Sequence, residues 1–112
     1  MDMRVSELGD ATLVALSGRL DTAGVSAIET RFTASVVPKG KPTVVDLSEV
    51  EFMASLGIRL LLSTARALAG KGGKLVLFGA SPHVVEVIEM TSLQEIIPLG
   101  DTQDEALALA TS

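Results

Sequence analysis

Cysteine is absent from this 112-residue chain. That excludes a disulfide framework, a thiolate nucleophile and any cysteine-held zinc or iron–sulfur site. Tryptophan and tyrosine are also absent. Three phenylalanines are the whole aromatic content, which leaves little on which a base or a flat cofactor could stack. Basic residues number nine against fourteen acidic ones, and they are scattered, so a formal net charge of −5 offers no footprint for a phosphate backbone. We expect no nucleic-acid partner. Although 47% of residues are apolar, no uninterrupted run approaches the roughly 20 residues that cross a bilayer. The opening Met1-Asp2-Met3-Arg4 lacks the layout of a secretory signal. These absences lead us to expect a soluble, cytoplasmic protein with no direct membrane insertion.

What is present reads as a single α/β domain over residues 1–112. Met3 to Leu8 and Ala11 to Leu20 are Val- and Leu-rich runs joined by Gly9-Asp10, the pattern of a β-hairpin. From Thr22, apolar residues recur at three- and four-residue steps (Val25, Ile28, Phe32, Val36), predicting an amphipathic helix capped by Asp21 or Thr22. Pro38-Lys39-Gly40-Lys41-Pro42 is a turn. Thr43 to Leu47 has the apolar character of a buried strand, and Ser48-Glu49-Val50-Glu51 reads as a polar loop after it. A largely buried helix follows Ser55 and stops at Gly70 and Gly72-Gly73. Leu75 to Phe78 is a third buried strand, and Ser81-Pro82 joins a capping residue to a proline suited to the first helical turn. That helix ends near Thr91. Ile96 to Leu99 reads as a last edge strand, and Asp101 as the cap of a final helix docked by Leu107 and Leu109. The order β-β-α-β-α-β-α-β-α calls for a mixed sheet packed with about four helices.

Few residues could carry chemistry. His83 has neither a second histidine nor a cysteine to complete a metal site, and a surface or capping role suffices for it. The acidic residues Glu49, Glu51, Glu86, Glu89, Asp104 and Glu105 fall in loops or on helix faces, with no carboxylate pair among them. Gly70, Gly72 and Gly73 follow a helix and precede a strand, the reverse of a phosphate-cradling loop. We therefore expect no catalytic residue, metal or cofactor. A hydrolase built on Ser55 and Asp21 would lack a base and an oxyanion site. Ser55 stands out because it begins a helix. Its hydroxyl could cap that helix, or a phosphate on it would meet the positive end of the helix dipole and add about −1.5 to −2 charge. Leu56 could point into the core or enlarge an apolar docking patch.

Three segments carry a resemblance. Ser17-Gly18-Arg19-Leu20-Asp21, Val45 through Met53, and Ser55-Leu56-Gly57-Ile58-Arg59-Leu60-Leu61 together resemble the STAS domain family, and within it the anti-sigma factor antagonists of bacteria. The likeness spans almost the whole chain. It implies a partner-switching regulator of transcription that binds a histidine-kinase-like serine kinase, itself the anti-sigma factor, and is released when a serine is phosphorylated. In the family the relevant segment reads Asp-Ser-Ser-Gly. Here it is Ala54-Ser55-Leu56-Gly57, so Ser55 matches the phosphorylated serine, Gly57 the glycine, and Asp21 the acidic residue beside the site. Ala54 and Leu56 depart from that pattern. The resemblance implies a partner-binding set of Asp21, Thr22, Met53, Ala54, Ser55, Leu56, Gly57 and Ile58. The alternative is an accessory or structural STAS subunit of a signalling assembly or a lipid transporter, with no phospho-switch.

Overall fold

The computed structural model describes residues 1–112. Strands β1 (Asp2–Leu8) and β2 (Ala11–Leu20) form the antiparallel hairpin, with Leu8 opposite Ala11 across the Gly9-Asp10 turn. Helix α1 (Thr22–Val36), strand β3 (Thr43–Met53), helix α2 (Ser55–Ala69), strand β4 (Leu75–Phe78), helix α3 (Pro82–Met90), strand β5 (Leu99–Gly100) and helix α4 (Gln103–Thr111) follow. The sheet order is β1-β2-β3-β4-β5, with β2 through β5 parallel, so the fold is the expected mixed α/β sheet with four helices. No helix is long and apolar enough to cross a membrane.

Side-chain alternation along the strands separates two apolar layers. Val14 and Leu16 of β2, Val45 and Leu47 of β3 and Leu77 of β4 pack with Val25, Ile28 and Phe32 of α1, Leu60, Leu61 and Leu68 of α2, and Val84 and Ile88 of α3. Burying each of the larger side chains here, Phe32, Leu61 and Leu68 among them, is favourable by roughly 1.5–3 kcal/mol. On the opposite face, Val44, Val76 and Phe78 meet Ala106 and Ala110 of α4. The free edge of β1 is tied down by Arg31 of α1, whose Nη2 donates to the Met3 carbonyl at 3.0 Å.

The structure corrects several sequence expectations about the elements. β3 continues to Met53, because β2 runs to Leu20 and its last residues, Ser17 to Leu20, need a partner. The pairing survives through irregularities between Ala15 and Ser17 and between Gly18 and Arg19, so the polar run Ser48–Glu51 is strand and not loop. α2 is half-buried, not largely buried. It seats Gly57, Leu60, Leu61, Thr64 and Leu68 and leaves Arg59, Ser63 and Arg66 outside. Ile96 and Ile97 follow a single 3-10 turn at Leu93–Glu95, and the last strand is only Leu99–Gly100, although the Pro98 carbonyl still accepts the Leu77 amide at 3.0 Å. Thr102, not Asp101, caps α4 by accepting the Glu105 amide. Lastly, α4 docks chiefly through Ala106 and Ala110, its small residues, with Leu109 packed partly buried against the same cluster as expected and Leu107 half-exposed outside it.

Candidate functional site

The carboxyl ends of β2, β3 and β4 lie side by side, and each turns into a helix, which brings the starts of α1, α2 and α3 to one edge of the sheet. Open α/β sheets commonly place ligand sites outside the carboxyl ends of their strands. Register fixes the neighbours: Leu20 lies beside Met53 and Arg19 beside Phe52. Past the last pair, the Ala54 amide donates to the Leu20 carbonyl at 2.9 Å, which ties the beginning of α2 to the end of β2.

Of the two expected candidates it is Asp21 that caps α1, its Oδ1 accepting the Gly24 amide at 2.9 Å, and Thr22 is the first helical residue. The bonded Gly24 amide, helped by the adjacent Arg19 guanidinium, holds the Asp21 carboxyl below its ordinary value, against a smaller opposing effect of burial. Arg19 Nε lies 3.4 Å from Asp21 Oδ2, the one ion pair in the structure, with both side chains substantially exposed.

Ser55 does not cap α2. Ala54 occupies the cap position, with extended backbone (φ −99°, ψ 174°) and no oxygen to offer, and Ser55 is the first helical residue, exposed to solvent. The helix thus begins without a side-chain acceptor for its free amides. Met53 and Gly57 are buried, so they position α2 rather than present a surface. A Cβ at Gly57 would lie 3.0 Å from Leu20 Cβ and 3.2 Å from its carbonyl oxygen, a crowding that β2 could relieve only by shifting. Leu56 and Ile58 take an intermediate position, half-exposed yet packed against the core.

Two features escaped the sequence reading. Phe52 carries the Arg19 guanidinium 4.5 Å from its ring centroid, and the His83 ring stacks with it at 6.2 Å and 22°. The three residues come from β2, β3 and α3 and meet only once strand order and register are known. His83 is exposed, and Ser81 caps α3 by accepting the Val84 amide, as its sequence context implied. The second feature is a depression of about 300 Å³ between α1 and α2, lined by Val25, Glu29, Leu56, Arg59, Leu60 and Ser63. A larger hollow of about 580 Å³ lies on the sheet among Asp2, Arg4, Ala15, Ser17, Asp46 and Glu49, none of which belongs to the edge described here. No three metal-ligating side chains converge anywhere.

The model of the STAS domain family matches residues 2–106. The chain is 28% identical over 108 residues to the candidate anti-sigma factor antagonist BtrV of Bordetella bronchiseptica, covering 96% of this chain and 93% of that protein. It is 27% identical over 90 residues to the anti-sigma-B factor antagonist of Listeria monocytogenes, covering 80% and 79% of the two chains. The crystal structure of an anti-sigma factor antagonist from Mycobacterium paratuberculosis superposes with a TM-score of 0.88 at 28% identity, over 99% of this chain and 94% of that one.

Proposed function

The chain belongs to the STAS domain family, and from that premise we propose that its single domain, residues 1–112, is a cytoplasmic anti-sigma factor antagonist switched by phosphorylation of Ser55. The observation that supports this most is the placement of Ser55: exposed, at the first position of α2, on a helix start held in place by the buried Gly57 and Met53. The protein acts by binding and carries no catalytic group of its own. Its partner is a histidine-kinase-like serine kinase that doubles as the anti-sigma factor. Unmodified, the exposed part of the site, Asp21, Thr22, Ala54, Ser55, Leu56 and Ile58, docks on that partner and frees the sigma factor it holds.

In the modifying step the Ser55 Oγ attacks the γ-phosphorus of ATP held by the partner. The Oγ–P bond forms, the bond from the γ-phosphorus to the β,γ-bridging oxygen breaks, ADP leaves, and the hydroxyl proton passes to a base of the kinase. The product carries about −1.5 to −2 extra charge beside Leu56 and Ile58. A tenfold loss of affinity requires only about 1.4 kcal/mol, well within what one phosphate brings to a partly apolar contact. Leu56 and Ala54 favour a second reading, a constitutive accessory subunit docked through its half-exposed leucine and isoleucine.

Affinity capture from the native cell with wild type and Ser55→Glu, followed by mass spectrometry, separates the two. Recovery of a kinase-like ATPase by the wild type alone, with Ser55 phosphorylated when the purified pair receives ATP, is the expected result. Retention of the same transporter or scaffold partner by both proteins would replace the switch with the accessory role.

A further inference from the structure

Resting on that reading of Ser55, we propose that Arg59 reads its phosphorylation state: free Arg59 pairs with a carboxylate of the partner, and phosphoserine at 55 takes Arg59 for itself. Ser55 and Arg59 are four residues apart on α2 and both are exposed, which puts them one turn apart on the same helix face, about 5–6 Å between Cβ atoms. Arg59 has no competing partner along the helix, since α2 contains no acidic residue. Glu29 of α1 lines the same depression, yet the two form no ion pair. Arg59 in the unmodified protein is therefore an unpaired cation at the rim of an apolar floor made by Val25, Leu56 and Leu60. That arrangement suits a partner that inserts an apolar side chain and sets a carboxylate against the guanidinium.

A phosphate on Ser55 changes the balance. It offers Arg59 a nearly dianionic, multidentate acceptor within its own helix, at a helix start where negative charge is already favoured. The partner's carboxylate then loses its counter-charge and faces a phosphate instead. Release follows from the removal of an attraction as well as from repulsion. Asp21, at the start of α1, stays engaged with Gly24 and Arg19.

The test uses full-length chain with phosphoserine placed at 55 by synthesis, so that it needs no kinase. The second phosphate pKa, near 6 in a free phosphoserine, is followed by phosphorus NMR in the wild type, Arg59→Lys and Arg59→Gln. We expect a value a few tenths of a unit lower in the wild type than in Arg59→Gln, with Arg59→Lys between them. In parallel, Arg59→Gln should weaken binding of the unmodified chain to the captured kinase and shrink the affinity ratio between unmodified and phosphorylated forms several-fold. Equal phosphate pKa values in the wild type and Arg59→Gln overturn the proposal. So does an unchanged affinity ratio, which would leave release to repulsion alone. Failure of the functional reading looks different, as a Ser55 that no partner kinase phosphorylates.

Discussion

Asp21 and Gly24 form one device. The carboxylate accepts the Gly24 amide at 2.9 Å, and the turn closes so tightly that a Cβ on Gly24 would run into the Arg19 carbonyl oxygen. The residue that caps α1 is thereby fixed beside the start of α2. Asp21→Ala should lower the melting temperature, and Asp21→Asn, which keeps an acceptor oxygen, should lower it less. The pH dependence follows from the depressed Asp21 pKa. Its ordinary value is 3.8 and its folded value lies lower, so the carboxylate's contribution is complete above 3.8 and is lost as pH falls through the folded value. Thermal melts from pH 7 downward should show wild type and Asp21→Asn converging in acid. A gap that widens there would contradict the assignment of Asp21 as a charged cap.

Two glycines, one inside α2 and one just past its end, make a paired prediction. At Gly57 a methyl group would press on Leu20 at 3.0 Å from Cβ and 3.2 Å from the carbonyl oxygen, and also on Met53. Gly57→Ala should cost about 1–3 kcal/mol, the usual cost of overpacking a seated element. Gly70 closes the same helix with ordinary helical dihedrals (φ −63°, ψ −19°), and its nearest neighbour would be 3.4 Å away. Gly70→Ala should stabilise by about 0.4–1 kcal/mol by restricting the unfolded chain. Denaturant melts of both variants check the contrast, and equal effects would show that α2 is not pressed against β2.

How much of this was legible beforehand depended on whether the signal was local. The Asp21 cap, the Ser81-Pro82 start of α3 and the buried run Leu75–Phe78 are written in adjacent residues and were read correctly. The extension of β3 through Ser48, Glu49 and Glu51 was not, because polar residues become strand there only by pairing with β2. The caps of α2 and α4 each slipped by one residue. Ser55 and Asp101 have the chemistry of caps, whereas the backbone chose Ala54 and Thr102. Of the proposed site, Ser55 and Asp21 came from pattern, while the Arg19–Phe52–His83 stack required cross-strand register. Arg59 was visible within the matched motif, but its isolation from acidic partners emerged only with the packing of α1 against α2.

Thr64 lies on the buried face of α2 at 1% exposure, and its hydroxyl has no hydrogen-bond partner. An unpaired hydroxyl away from water is costly, whereas valine has nearly the same shape without it. Thr64→Val should therefore stabilise the fold by about 1 kcal/mol. The expectation fails if urea denaturation finds the variant less stable than the wild type, which would imply that the hydroxyl is satisfied in solution.

Ala54 sits where a helix cap belongs and has the backbone conformation of one, but not the side chain. Ala54→Ser should add an acceptor for the free amides of α2 and stabilise the protein by about 0.5–2 kcal/mol. Ala54→Asp should do at least as well, since its charge also favours the positive end of the helix. The two variants part once Ser55 is phosphorylated. Serine leaves the charge at that helix start unchanged, whereas aspartate sets a carboxylate next to the phosphate and competes with it for the same amides and for Arg59. Phosphoserine should thus raise the melting temperature of Ala54→Ser and of the wild type, and raise that of Ala54→Asp less. Calorimetry on the six species, each chain with and without the phosphate, measures the coupling directly. A phosphate effect identical in all three chains would mean that the modified Ser55 points away from the start of α2, and the alanine at 54 would then have no bearing on the switch.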